Sequence, residues 1–187
     1  MKSALRGALI ASLLLPAPSI ADSVWGDFDA LSDTEVPEGG EKDIFAGRLT
    51  LGYLASSGNT DTSSFNGKLV MGWDLEKWRH ATMFSGIRSE EDNITTAENY
   101  QAGYKADRKF GEKNYLFATL AWEQDEFSGF EKRTTEAVGY GRRVLETDSQ
   151  LLDLEIGAGA RQSELTDGTE RDETIGRVAG NYKWTFT

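Results

Sequence analysis

His80 is the single histidine in the chain, and Asp74 and Glu76 lie a few positions before it. Serines are plentiful, so every residue type of a Ser–His–acid hydrolase is present. That chemistry needs a base bonded to its nucleophile and oriented by a third group. No local motif sets a serine against His80. It reads as a strand-end residue, and no enzyme is expected. Two stretches, "SEEDN" (Glu90, Glu91, Asp92) and "DGTERDE", cluster the hard oxygen ligands that divalent cations take. Neither has the spacing of a calcium loop, so both read as solvated acidic surface. In "SSGNTDT" only Asp61 is a strong cation ligand. Its Gly, Asn and Asp instead suit a tight hairpin turn. The absence of cysteine excludes disulfides and thiolate metal sites, and one histidine excludes multi-His zinc. "NIT" at Asn93 matches a glycosylation sequon that has no meaning in a bacterial-type exported protein. "GYGRRV" lacks the strand–helix context of a nucleotide loop. No catalytic, cofactor-binding or metal-ligating residue is assigned.

The elements that must position these residues begin with an export signal. Lys2 and Arg6 precede the apolar run "ALIASLLLPAP", and Ser19-Ile20-Ala21 is a small-x-small cleavage site. Residues 1–21 are read as a secretory signal peptide. The chain of 187 residues carries a net charge of −11, and cleavage removes two basic and no acidic residues, giving −13. So acidic a chain is a poor partner for nucleic acid. Residues 22–43 are acidic and aperiodic and read as a flexible periplasmic leader.

From Ile44 onward the pattern has a period of two. Phe45, Leu49, Leu51 and Tyr53 alternate with Arg48, Thr50 and Gly52. Phe65, Leu69, Met71 and Trp73 alternate with Asn66, Lys68 and Gly72. The same holds for Tyr100 to Ala106 against Gln101, Lys105 and Asp107, for Leu152 to Ala160 against Asp153 and Glu155, and for Val178 to Phe186 against Arg177 and Lys183. Three more strands have a less certain facing. "RHATMFSGIR" reads in either register, "NYLFATLAWEQ" has aromatic residues on both faces, and "TTEAVGYGRRV" is sparse. Eight strands with no crossover helix between them predict an antiparallel up-and-down meander.

A membrane barrel turns its apolar face to lipid and its polar face to the lumen. Strands long enough to cross a bilayer, mixed charge on the polar faces and aromatic ends (Tyr53, Trp73, Trp122, Tyr140, Trp184) favour that arrangement. Turning the first two strands over would put Arg48 and Lys68 into lipid at ~2–4 kcal/mol each. The expected lumen-facing set is Arg48, Asn66, Lys68, Gln101, Lys105, Asp153, Glu155, Arg177 and Lys183. With the N-terminus in the periplasm, "SEEDNITT", "DEFSGFEK" and "SELTDGTERDE" are expected as long outer loops. "SSGNTD" is expected as the short exception.

"LGYLASSGNTDTSSFNGKL", "EKWRH" and "SEEDNITTAENYQAGYKADRKFGEKNYLFATLAWEQDEFSGFEKR" resemble the YdiY-like family, domain of unknown function 481. The resemblance spans roughly residues 44 to 187. Its most specific pieces are the Ser-Gly-Asn-Thr turn, Trp78-Arg79-His80 and Phe127-Ser128-Gly129. It implies an outer membrane β-barrel, often described as salt-induced, with no established enzymatic chemistry. Relatives continue past "NYKWTF" for several strands, whereas this chain stops at Thr187. Truncation is therefore expected, with an eight-stranded barrel ending near Phe186 as the alternative. A truncated set would leave two open edges, which lipid does not tolerate.

The expected protein is thus an all-β, antiparallel up-and-down transmembrane β-barrel at 44–187, the visible part of a larger barrel in a Gram-negative outer membrane. Its expected role is structural or stress-related, with a narrow passive pore as an extension. Expected partners are outer membrane lipid, lipopolysaccharide and the barrel-assembly machinery. The alternatives are a soluble periplasmic barrel binding a small apolar ligand, and an outer membrane hydrolase.

Overall fold

The computed structural model describes residues 44–184 apart from 126 and 148. The expected signal peptide (1–21) and leader (22–43), with Phe186 and Thr187, lie outside the described residues. Eight strands follow in order: β1 (Ile44–Ser56), β2 (Thr62–Asp74), β3 (Trp78–Glu91), β4 (Ile94–Phe110), β5 (Asn114–Asp125), β6 (Phe130–Glu146), β7 (Gln150–Leu165) and β8 (Glu170–Trp184). Each pairs with its sequence neighbour, so the fold is all-β, antiparallel and up-and-down. Among the described residues β1 and β8 are the two edges, and the sheet is open rather than closed.

The period-two pattern explains the register. Leu49 faces Leu69, Leu69 faces Phe84 and Phe84 faces Ala102. Directly opposed residues share a face, so this apolar row continues unbroken across four strands. β3, ambiguous in sequence, resolves with Phe84 on the apolar face. Met83 is buried on the other side with Ala121, Val70 and Ala81 packed around it.

The sheet curls strongly. Lys105 on β4 contacts Glu155 on β7, although a flat sheet would hold those strands roughly 14 Å apart. Arg177 on β8 likewise lies 5.7 Å from the Phe117 ring on β5. Both contacts need the polar face to be concave. Glycines permit this. A Cβ at Gly141 would sit 2.2 Å from the Tyr115 ring, and one at Gly139 2.5 Å from Phe117. The two rings lie across β6 in space that only glycine leaves.

The connections correct the expected asymmetry. The "SEEDNITT" hairpin turns in two residues, Asp92 and Asn93, at φ 49° and 64°. That is the left-handed pair which short hairpins favour and which Asp and Asn tolerate. Glu90 and Glu91 instead pair in the ladder with Thr95 and Ile94, because polar residues do not end a strand that still has a partner. Similarly, the β5–β6 and β7–β8 connections shrink to 126–129 and 166–169, while "SSGNTD", expected to be short, spans 57–61 and is the longest. Asp92 clips the first and third turns together: Asp61 N–H donates to Asp92 Oδ1 at 2.9 Å, and Asp92 N–H donates to Asp61 O at 2.8 Å. In the last turn Thr169 N–H donates to Asp167, and the Thr169 hydroxyl and backbone N–H hold that carboxyl below its ordinary range.

Candidate functional site

By register, the nine residues expected to face a lumen lie on one face of the sheet, the concave one. Lys68 opposes Ser85, Ser85 opposes Gln101 and Gln101 opposes Glu123. Arg48 opposes Val70, Asp153 opposes Asn181 and Lys183 opposes Leu151. Their environments differ. Lys105, Asp153, Glu155 and Arg177 are buried, Lys68, Gln101 and Lys183 are half-buried, and Arg48 and Asn66 are exposed on the shallower side formed by β1 and β2.

The buried four converge with residues that sequence reasoning did not select. Glu155 is the centre. It accepts from Lys105 Nζ and from the Tyr115 hydroxyl at 2.9 Å on Oε1, and from Arg177 Nη2 at 3.0 Å on Oε2. Lys105 Nζ also lies 3.9 Å from Asp107 Oδ1. Asp107, 2 % exposed, accepts from Arg79 Nε at 2.7 Å. Asp153 accepts from Arg143 Nε at 3.0 Å. The cations also stand over rings: Arg79 is 5.2 Å from the centre of Tyr115, and Lys105 is 5.5 Å from that of Phe117. The remaining void between Arg79, Lys105, Tyr115, Asp153 and Glu155 is about 10 Å³, about one water at most. Alternating charges, aromatic lids and little free volume make this a rigid polar plug across β3 to β8.

Arg79 was hidden by the two-way register of β3. Tyr115 and Phe117 were hidden because aromatics on a polar face look like noise. The usable signal was the glycine alternation, "GYG" in β6 and "GAG" in β7, which marks where neighbouring rings can lie.

The convex face is the reverse. Leu49, Leu51, Leu116, Leu120, Val138, Ile156 and Val178 are all exposed there. Aromatic rows bound this aliphatic band. At the end holding the 75–77 and 111–113 turns, Phe45 packs on Trp73 at 5.3 Å, and Phe110 lies 6.1 Å from Tyr140. His80 stacks between Trp78 and Tyr104, its Nδ1 2.7 Å from the Tyr104 hydroxyl. Tyr53, Phe65, Tyr100 and Trp122 mark the other end. From Phe45 to Tyr53 is roughly 26 Å along the strand.

The model for the family described as "Protein of unknown function, DUF481" matches residues 49–187. A protein of Escherichia coli (strain K12) described as "Uncharacterized protein YdiY" is 30% identical over 187 residues, covering 98% of this chain and 69% of the relative. No solved structure matches.

Proposed function

Because the chain belongs to the DUF481 family, whose description carries no activity, we propose from geometry an outer membrane β-barrel with a structural role; export is inferred from the N-terminal sequence, and a stress-related role is implied by the family resemblance alone. Its convex face meets lipid and lipopolysaccharide, and its concave face lines the lumen. The barrel-assembly machinery inserts it. The inversion of sides carries this reading. Lys105, Asp107, Glu155 and Arg177 are buried, while Leu49, Leu51, Val138 and Val178 are each more than 60 % exposed. A water-soluble sheet of this size would expose a continuous apolar band, which is an aggregation hazard. In a bilayer the same band is solvated.

The aromatic rows support the same placement, since Trp and Tyr favour the two membrane interfaces. At the ~40° tilt of such barrels their separation is roughly 20 Å of height, somewhat under the ~25 Å apolar band. His80, stacked between two rings on the convex side, fits this belt better than the role of general base. The soluble alternative needs an apolar interior for its ligand, and the concave face is ionic.

The plug around Glu155 favours a structural role over an open pore. A passage at that level would be lined by fixed charges. Fractionation and heat-modifiable gel migration test the membrane reading, and release by osmotic shock as a soluble protein would overturn it. Planar-bilayer recording tests the plug. Large, stable conductance steps from the wild-type chain would refute a closed lumen.

A further inference from the structure

A second charged group lies on the concave face, at the end next to the 126–129 and 166–169 turns and apart from the Glu155 plug. Its centre is Ser163, buried on β7. In register it has Arg133 of β6 on one side and Arg171 of β8 on the other. Arg161 stands two residues along the same strand and therefore on the same face. It is a diagonal neighbour of Arg133, at roughly 7–8 Å between backbones. Three arginines are thus backbone neighbours of one serine in a chain of net charge −11.

Their donors are poorly used. Arg133 makes one long bond, Nε to Ser163 Oγ at 3.4 Å, and its guanidinium carbon stands over the Phe130 ring, 3.6 Å from its centre. Arg133 Nη1 and Arg161 Nε are buried with no hydrogen-bond partner among the described residues. The carboxylates that face them satisfy these donors only in part. Glu123, opposite Arg133, accepts from the Asn99 and Gln101 amides at 3.4 and 3.3 Å. Glu173, opposite Arg161, is 2.9 Å from Arg171 and 3.9 Å from Arg161. Planar forks around a hydroxyl are the donor set that tetrahedral oxyanions take.

We propose that Arg133, Arg161, Arg171 and Ser163 form a binding site for a small free oxyanion of the phosphate or sulfate class. Arg133, pre-oriented by Phe130, and Arg161 supply the forks, and Ser163 donates its hydroxyl. Arg171, the most exposed of the three, draws the anion in. Because the site is on the concave face, its ligand comes from the aqueous side.

Inorganic phosphate is titrated calorimetrically into the refolded full chain in chloride buffer, whether the chain is kept in detergent or proves soluble. Failure of the membrane reading therefore leaves this test intact. Saturable binding at one site is expected, with sulfate competing. Arg133→Gln and Arg161→Gln should each weaken it about tenfold, the loss expected for a charge-assisted bond. Arg133→Lys, which keeps the charge but not the fork, should fall between. Arg142→Gln, which removes an exposed charge from the convex face, should leave binding unchanged. If an arginine variant loses its β circular dichroism, Ser163→Ala replaces it and should also weaken binding. No saturable binding, binding unchanged in the folded Arg133→Gln, Arg161→Gln or Ser163→Ala protein, or equal weakening by Arg142→Gln would each overturn the proposal.

Discussion

Replacing Leu49 by lysine distinguishes lipid from water on the convex face. Leu49 is 63 % exposed and lies four residues from both Phe45 and Tyr53, the aromatic ends of its strand. Its partner Leu69 sits in the same way between Phe65 and Trp73. Leu49 is therefore at mid-height of the apolar band. If that height is the bilayer midplane, a lysine there costs ~2–4 kcal/mol, which lowers the folding constant by about thirtyfold to several hundredfold. If the face is in water, the same change stays within about 0.5 kcal/mol, as exposed substitutions do. Leu49→Ala measures the packing lost without the charge, so the difference between the two variants isolates burial of the ammonium group. The assay is reversible denaturant unfolding in lipid vesicles, followed by tryptophan fluorescence. A Leu49→Lys variant within about 0.5 kcal/mol of Leu49→Ala would refute the membrane placement of this face, whatever the protein's role.

Three further expectations follow from the interior and the turns. Glu155→Leu strands two buried cations, Lys105 and Arg177, and should destabilise by ~3–5 kcal/mol in the same unfolding assay. Lys105→Met added to it should recover part of that loss, and a purely additive double variant would count against direct coupling. Gly141→Ala puts a methyl group 2.2 Å from the Tyr115 ring, and overpacking of this kind costs ~1–3 kcal/mol. In a Tyr115→Ala background the added cost should vanish, and a double-mutant cycle without coupling would refute the ring-over-glycine account. Asp92→Ala removes a left-handed-tolerant residue and the clip to Asp61. It should cost about 1 kcal/mol and speed hydrogen exchange at the Asp61 amide, whereas Asn93→Gly should be neutral or mildly stabilising.

Much of the fold was legible because its signal is local. A strand's two faces alternate with period two, so Phe45 to Tyr53 and Lys68 to Trp73 already declare their sides. The nine polar positions came out on one face for the same reason. Where both faces carry apolar residues, local pattern fails. "RHATMFSGIR" left Arg79 unplaced, and Tyr115 and Phe117 were out of pattern for their side. The turns were misjudged because acidic composition was taken as a loop signal. In "SEEDNITT" the ladder outweighs composition, since each polar residue still gains a backbone partner and needs only two left-handed residues to turn.

The eight strands of the described residues, their antiparallel order, the segregation of apolar from charged residues and the family likeness follow from sequence alone, because each depends on residues close in the chain or on their periodicity. Which charges meet does not. Lys105 reaches Glu155 across 50 positions, and Arg133 and Arg161 come to face Ser163 and its neighbours only when β6, β7 and β8 lie side by side. Those encounters depend on curvature, and curvature depends on where glycines let rings lie across neighbouring strands. Side-chain volume across non-local contacts therefore decided what the concave face can hold, and no linear pattern records it.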